Sequence, residues 1–317
     1  MSNPVVILCP GQGAQVVGMG KAWHDESPEA RAVFQAADRQ LGSRLGSPLS
    51  ELCFSGPADR LNKTDVSQPA IFVASIACWK GLLAKWQFGN GEIPIAAAAG
   101  LSLGEYSALV VAGAVSFEEG LELVTLRGRA MQDAAEASPG GMVALIGADE
   151  AQALAVCDKA RGGDILVCAN FNAPGQIVLS GHKVACDRAA TVAGDMGLRA
   201  TPLVVAGAFH SPLMQPAADR LSQALAKAAI RVPRAPVISN VTARAHESEA
   251  SIRTRLVDQL TSPVRWSQSC QWLGSTMVGA NVKAEFHELA PGKTLAGLMR
   301  RIDKNVKVIT HDEPDQA

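Results

Sequence analysis

A serine between two glycines is the first feature of this chain that predicts chemistry. Residues 100–104 read Gly-Leu-Ser-Leu-Gly, which fits the G-x-S-x-G turn that presents a nucleophilic serine between a strand and a helix. The turn leaves the hydroxyl exposed near a helix N-terminus, which favours a developing negative charge. The alternative is an ordinary turn in which Ser102 only caps the helix. Because an apolar run precedes the motif and a helical pattern follows it, the nucleophile is favoured.

A serine nucleophile needs a base, and the sequence contains six histidines. His210 is the best candidate, because it lies in a small, apolar segment just before a predicted helix. His287 is the only serious competitor, although its place beside Glu288 is also typical of a strand end that faces solvent. No acidic residue close to His210 in sequence completes a triad, so a backbone carbonyl is one way to orient the imidazole. The remaining four are interpreted as surface or tail residues: His24, His182, His246 and His311.

Two loops resemble nucleotide-binding motifs only in part. Residues 11–16 read Gly-Gln-Gly-Ala-Gln-Val, with Val16 where a dinucleotide fingerprint needs a small residue. Residues 291–294 read Pro-Gly-Lys-Thr, but His287 stands where a P-loop needs its first glycine. We therefore expect neither NAD nor ATP to bind, and no permanently bound cofactor.

Composition indicates a globular protein and narrows the range of partners. The 317 residues are 48% hydrophobic and 19% charged, with a net charge of −1 and no basic stripe, so we expect no nucleic-acid partner. The seven cysteines are never spaced as CxxC and lie mostly in apolar runs. This pattern predicts buried, reduced thiols in a cytoplasmic protein, with neither disulfides nor a metal site.

The two ends of the chain and its apolar runs predict no membrane segment. Residues 1–9 lack a basic region, and their apolar stretch stops at Pro10, which is typical of a strand and not of a signal peptide. The longest apolar runs, such as 71–79 and 93–99, are shorter than a bilayer requires. Residues 310–317 are polar and acidic, and we expect them to form a mobile tail.

The elements that must position the serine alternate as in α/β folds. The patterns predict strand 5–8, helix 67–86 with Pro69 in its first turn, strand 93–99, and helices 103–111 and 117–135. The same alternation of strands and helices resumes after residue 205. There the predicted elements are helix 212–228, strand 236–239, helices 252–260 and 267–277, strand 284–288, and helix 294–302.

Between these two α/β parts, the pattern changes to a compact unit of six elements. We predict strand 142–146, helix 150–160, strands 165–170 and 176–180, helix 182–196 and strand 200–205. The order β-α-β-β-α-β is that of a ferredoxin-like unit. The sequence therefore predicts a small domain, 138–206, inserted into a discontinuous large domain formed by 1–137 and 207–317.

Several spaced motifs together resemble the malonyl-CoA:acyl carrier protein transacylase family. They are Pro-Gly-Gln-Gly-Ala-Gln at 10–15, Gly-Leu-Ser-Leu-Gly-Glu-Tyr at 100–106, Arg-Gly at 127–128 and Gly-Ala-Phe-His at 207–210. Further similarity lies at 170–176, 239–241, 259–266 and 291–293, in the same order as in the family. The resemblance covers nearly the whole chain.

The resemblance implies an α/β-hydrolase-like large domain with a ferredoxin-like insertion that forms one wall of the cleft. It also implies malonyl transfer from malonyl-CoA to the phosphopantetheine thiol of acyl carrier protein, through a malonyl-serine ester, in fatty-acid biosynthesis. The partners would be the transiently bound carrier protein and the coenzyme A thioester, and we expect a cytoplasmic monomer. The same fold could instead serve a polyketide synthase as a discrete acyltransferase. A serine hydrolase on the same turn is a more distant alternative.

The resemblance also assigns roles to individual residues by position. Ser102 would be the nucleophile, His210 the general base and acid, and Arg127 the partner of the malonyl carboxylate. The backbone carbonyl of Gln259 would orient the imidazole, and the N–H groups of Gln12 and Leu103 would form the oxyanion hole. The chain departs from many members at Leu101, where they have histidine, and at Ala290, where they have glycine. Neither position carries one of these roles, so the departures bear on rate and selectivity.

Overall fold

The computed structural model describes residues 3–86, 93–277 and 283–314. Within these ranges, the chain forms a five-stranded parallel sheet and a separate four-stranded antiparallel sheet, with helices packed on both. The predicted α/β class is therefore confirmed. The strands are β1 (Val5–Cys9), β2 (Ile95–Gly100), β3 (Gly140–Ile146), β4 (Leu166–Ala173), β5 (Gln176–His182), β6 (Arg199–Pro202), β7 (Val237–Ile238), β8 (Glu285–Leu289) and β9 (Val308–His311).

Thirteen α-helices and one short 3-10 turn, Pro212–Met214, lie in the described part of the chain. The helices are α1 (Lys21–Glu26), α2 (Pro28–Leu41), α3 (Leu49–Ser55), α4 (Ala58–Leu61), α5 (Thr64–Trp86), α6 (Gly104–Val111), α7 (Phe117–Ala137), α8 (Glu150–Arg161), α9 (Lys183–Asp195), α10 (Gln215–Leu225), α11 (Glu249–Thr261), α12 (Trp266–Met277) and α13 (Thr294–Ile302).

The parallel sheet has the strand order β7-β2-β1-β8-β9, so β1 is central. All five residues of β1 are fully buried, as expected for a strand covered by helices on both faces. Strand β2 pairs with β1 in parallel, with Gly100 opposite Cys9. The carboxyl ends of β1, β2 and β7 therefore meet at one edge, where the candidate nucleophile follows β2.

The buried helix α5 begins earlier than its apolar pattern predicts. Its first residue is Thr64, so Pro69 is the sixth residue and lies inside the helix; the prediction of a first-turn proline was wrong. The reason is tertiary, because the first turn is buried and the Thr64 N–H donates to Gln132 Oε1 at 3.1 Å. Among the described helices, α5 alone is long and apolar enough to span a membrane, but 89% of its most apolar stretch is buried inside the structure. The core helix of a globular protein has the same properties.

The antiparallel sheet contains β3 to β6 in the order β4-β5-β3-β6, with α8 and α9 on one face. Its six elements follow the predicted β-α-β-β-α-β order and lie within the interval 138–206. One face forms a separate apolar core that includes Leu145, Val156 and Leu179. The other face contributes Met142 and Val178 to the main core. The small sheet is thus packed directly against the part of the molecule that holds Ser102.

The C-terminal segment corrects the expectation of a mobile tail, because its first residues form β9. This strand pairs in parallel with β8, and His311 is only 1% exposed. The polar composition of this segment did not predict a strand, because the strand forms by pairing with β8, which lies outside any local pattern of the sequence. Residues 315–317 of the predicted tail lie outside the described residues. All seven cysteines are buried and unpaired, as predicted.

Candidate active site

Ser102 stands on a sharp turn between β2 and α6. Its φ angle is 53°, in the left-handed region that non-glycine residues rarely adopt. A Cβ on Gly100 would lie 1.9 Å from the Gly104 carbonyl carbon, and one on Gly104 would lie 2.1 Å from the Cys9 carbonyl oxygen. The two glycines are therefore required by the close approach of β1, β2 and α6, as the motif predicts.

The structure brings His210, and not His287, to the serine. The Nε2 atom of His210 is 2.9 Å from Ser102 Oγ, and its Nδ1 is 2.7 Å from the Gln259 carbonyl oxygen. With Nδ1–H donating to that carbonyl, Nε2 is left as the acceptor for the serine proton. His287 instead lies in β8, hydrogen-bonded to His311 at 2.9 Å. Its competing role as the base is not supported by this geometry.

The environment of His210 keeps its imidazole neutral. The ring is buried, with 4% of the residue exposed. Burial, and then the positive charge of Arg127, lower the pKa of His210 from 6.5 to about 4, although the bond to the Gln259 carbonyl opposes the shift. The uncharged ring, which accepts a proton, is therefore the form present at neutral pH.

Arg127 reaches the same hydroxyl from helix α7. One Nη2 hydrogen is donated to Ser102 Oγ at 3.0 Å and the other to Gln259 Oε1 at 2.8 Å, while Nη1 donates to Gln68 Oε1 at 2.7 Å. The guanidinium carbon also lies 5.5 Å from the centre of the Tyr106 ring. Arg127 is 1% exposed, so its guanidinium is not a solvated charge on the helix surface.

The buried guanidinium has hydrogen-bonding capacity that the protein does not use. Of its five N–H donors, three have partners, which leaves two, and Nε–H is one of them. No carboxylate of the described residues forms an ion pair with it. A buried cation whose hydrogen bonds go only to neutral amides and a hydroxyl is suited to receive an anionic group from a ligand.

The predicted oxyanion donors lie on the two sides of the serine. Gln12 lines the cavity in the loop after β1, and Leu103 is the N-cap residue of α6. Within the described residues, neither backbone N–H donates to another protein group. The Ser102 N–H is instead used, because it donates to Asn240 Oδ1 at 2.6 Å. The N–H groups of Gln12 and Leu103 are therefore free of partners in the described part of the protein, and their role as an oxyanion hole stays a prediction.

A cavity of about 650 Å³ opens in front of Ser102 and His210. Its walls come from the loop after β1, from α7 and α13, and from the small sheet, which supplies Asn170 and Asn172. The Asn172 Oδ1 atom is buried without a partner. Leu101 also lines the cavity, so this unusual residue presents an apolar side chain beside the nucleophile. The volume is in the range of small-molecule and cofactor sites.

Three polar side chains at the site were not singled out by the sequence reasoning. Gln68 holds Arg127, while Asn240 and Glu105 lie behind the serine, all three fully buried. Glu105 directly follows the G-x-S-x-G motif, and Asn240 lies in one of the segments that resemble the family. Their positions in these motifs were therefore a signal, although neither residue had an assigned role. His246 and His311 were also misjudged as exposed, because each ring is buried by residues distant in sequence. Among the described residues, no cluster of three metal-ligating side chains is found.

The chain is similar to known proteins over nearly its whole length. The acyl transferase domain model matches residues 6–309. The malonyl CoA-acyl carrier protein transacylase of Salmonella typhimurium is 40% identical over 306 residues, which cover 96% of this chain and 94% of that protein. A crystal structure of malonyl-CoA:acyl carrier protein transacylase from Xanthomonas oryzae has a TM-score of 0.90 at 39% identity and covers 100% of this chain and 96% of that one.

A further structural match contains a carrier protein. It is described as a type II polyketide acyl carrier protein in complex with its malonyl-transacylase, with a TM-score of 0.90 at 36% identity, covering 99% of this chain and 97% of that one. Sequence and structure thus agree over nearly the full length of the chain. The chain belongs to the acyl transferase domain family, as one of its malonyl-CoA:acyl carrier protein transacylases.

Proposed function

We propose that this protein transfers the malonyl group of malonyl-CoA to the phosphopantetheine thiol of acyl carrier protein, with Ser102 carrying the malonyl group between them. The observation that supports this most directly is the buried Arg127 guanidinium, which touches Ser102 Oγ and has no carboxylate partner in the described protein. A malonyl carboxylate supplies the missing negative charge, and the fork of Arg127 offers donors for both of its oxygens.

In the first half-reaction, Ser102 Oγ attacks the thioester carbonyl while its proton passes to His210 Nε2. The carbonyl oxygen becomes an oxyanion that the N–H groups of Gln12 and Leu103 stabilise, each worth about 3 kcal/mol of the barrier. The carbon–sulfur bond then breaks, and coenzyme A leaves as a thiol that takes the proton from His210. The imidazolium formed in between is stabilised by the bond from Nδ1–H to the Gln259 carbonyl.

The second half-reaction repeats these steps with a different nucleophile. The thiol of the carrier protein gives its proton to His210 Nε2 and attacks the malonyl-serine ester. The oxyanion forms in the same place and collapses, and Ser102 Oγ leaves with the proton from His210. The malonyl group ends as a thioester of the carrier protein, and no cofactor beyond the two thioesters is involved.

We assign this chemistry to an α/β-hydrolase-like large domain, 1–137 and 207–317, with a ferredoxin-like domain, 138–206, as one wall of the cleft. The sheet order β4-β5-β3-β6 supports the second assignment, because the first and third strands of the unit are neighbours at its centre. We expect a cytoplasmic monomer that meets its carrier protein transiently. The similarity to a polyketide malonyl-transacylase favours service to a polyketide carrier protein as the second candidate function.

The decisive experiment offers malonyl-CoA and acetyl-CoA together and measures the mass of the intact protein. We expect a malonyl adduct on the wild type and none on Ser102→Ala, followed by loss of the adduct when acyl carrier protein is added. Parallel reactions with fatty-acid and polyketide carrier proteins separate the two candidate functions by their relative rates. Rapid release of free malonate without a carrier protein would instead indicate the serine hydrolase.

A further inference from the structure

The side chain of Asn240 spans the turn that presents Ser102. Its Oδ1 accepts a hydrogen bond from the Ser102 N–H at 2.6 Å, and its Nδ2 donates to the Gly100 carbonyl oxygen at 2.7 Å. Asn240 is fully buried, two residues after β7, which is the neighbour of β2 in the sheet. One side-chain amide thus pairs with the Ser102 N–H and the Gly100 carbonyl at the end of β2, where none of the described strands continues to pair with them.

A buried carboxylate fixes Asn240 in turn. The Asn240 backbone N–H donates to Glu105 Oε2 at 3.0 Å, and the Gln259 side chain donates to the same oxygen at 2.7 Å. The other oxygen, Oε1, lies 2.8 Å from His246 Nε2. Glu105 is fully buried and stands in the first turn of α6, three residues after Ser102. The support of the turn is therefore attached to the helix that begins at the turn.

The conformation of Ser102 explains why such support is needed. A serine with φ of 53° is strained, and such residues persist only where their surroundings hold them. Both of its backbone polar groups are held by side chains: the N–H by Asn240, and the carbonyl oxygen by Gln259 Nε2 at 3.0 Å. Gln259 also holds His210 through its backbone and Arg127 through its Oε1. Gln259 therefore contacts Ser102 and both of the groups that meet at Ser102 Oγ.

We propose that Asn240 is a positioning residue for the nucleophile. Its amide fixes the Ser102 backbone so that Oγ stays within hydrogen-bonding distance of His210 Nε2. It also occupies the Ser102 N–H, which leaves oxyanion stabilisation to Gln12 and Leu103. The inference rests on the proposed function for the role of Ser102, but it concerns the turn and not the substrate.

The test measures the reactivity of Ser102 with a small, uncharged fluorophosphonate, which does not depend on a carboxylate-binding arginine. In Asn240→Ala, we expect the second-order labelling rate and kcat for malonyl transfer to fall at least about tenfold, with KM for malonyl-CoA changed less than about twofold. Asn240→Asp keeps the size and the acceptor of the side chain but replaces the donor to Gly100 by an oxygen. We expect it to be slowed as well, and it decides the question if the alanine variant does not fold.

Ser239→Ala is the matched control, because the Ser239 hydroxyl is buried beside Asn240 but accepts from the Val241 N–H at 3.3 Å. It should label at the wild-type rate. Folded Asn240 variants that label at the wild-type rate would overturn the inference, even if their melting temperatures fall. A wild type that reacts with the fluorophosphonate but takes up no malonyl group refutes the proposed function alone.

Discussion

At the scale of single residues, the Ser102 hydroxyl lies between a neutral imidazole and a buried cation. It is 2.9 Å from His210 Nε2 and accepts from Arg127 Nη2 at 3.0 Å. Burial, and then this cation, lower the pKa of His210. Under the proposed function, the cation also attracts the malonyl carboxylate to the nucleophile. We expect a bound malonyl carboxylate to offset the charge of Arg127, so that the pKa of His210 rises when the substrate is present.

Arg127 is expected to determine the choice of acyl group. In Arg127→Ala, malonyl transfer should lose about 3 kcal/mol in kcat/KM, since a charged hydrogen-bonding partner is deleted, while acetyl loading holds or rises. The measurement is kcat/KM with each thioester. Arg129→Ala is the control on the same helix, because the Arg129 side chain is 58% exposed. An unchanged ratio of malonyl to acetyl transfer in Arg127→Ala would refute this role.

The pH dependence of serine reactivity should report the electrostatics of His210. Because burial and Arg127 lower the pKa of His210 to about 4, the base is deprotonated above that pH, and the acidic limb of the rate profile should lie near pH 4. Arg127→Ala removes the positive charge and should move the limb to higher pH. The position of this limb is measured by the rate of fluorophosphonate labelling of both proteins from about pH 3.5 to about pH 8. A limb that stays in place would show that Arg127 does not act on the base.

At the scale of elements, the turn depends on the contact between the start of α6 and the end of β1. In Gly104→Ala, the new Cβ would lie 2.1 Å from the Cys9 carbonyl oxygen, so α6 must move away from β1. We expect loss of at least about 3 kcal/mol of stability or of most labelling at Ser102, measured by urea unfolding and fluorophosphonate. Gly297→Ala in α13 is the control, because its Cβ meets nothing within 4 Å. It should stabilise the protein by up to about 1 kcal/mol.

Strand β9 is expected to carry a pH-dependent part of the stability. Burial, and then His287 and Lys85, lower the pKa of His311 to about 3. The folded state therefore binds fewer protons than the unfolded state, and the stabilisation present above pH 6.5 is lost as the pH falls from 6.5 toward 3, at up to about 1.4 kcal/mol per pH unit. In His311→Phe, the free energy of unfolding should fall less between about pH 7.5 and about pH 5 than it does in the wild type. Urea unfolding at both pH values measures this difference. An unchanged difference between the two pH values would exclude His311 as its source.

At the scale of the whole molecule, the cavity joins the two sheets, since its walls include Ser102 from one part and Asn170 from the other. A ligand that fills it should stabilise both parts together. Malonyl-CoA at about 100 times its Kd should add about 2.7 kcal/mol to Ser102→Ala, which binds without reacting, or raise its melting temperature by about 5 °C. Adding Arg127→Ala to that variant should remove most of the shift. Equal shifts with malonyl-CoA and coenzyme A at the same concentration in Ser102→Ala would show that the malonyl group adds nothing to the affinity.

Features that depend on neighbouring residues could be predicted from the sequence. The apolar strand β1, the glycine-flanked Ser102 turn and the order of the six small-domain elements follow from side-chain periodicity and from the space that a turn allows. His210 was also the first choice of base, because its small, apolar surroundings are local. The family resemblance, and not spacing, pointed to Arg127 and Gln259.

Which groups meet at the site depends on tertiary packing. Ser102 and His210 are 108 positions apart, and Ser102 and Asn240 are 138 apart. A hydrogen bond of less than 3 Å between such positions depends on how β2, β7 and α11 pack, and no local pattern encodes it. The same holds for His311, whose polar neighbours suggested a tail until the edge of the sheet was seen to bury it. The residue type sets the chemistry of each functional group, whereas tertiary packing determines which other groups lie within its reach.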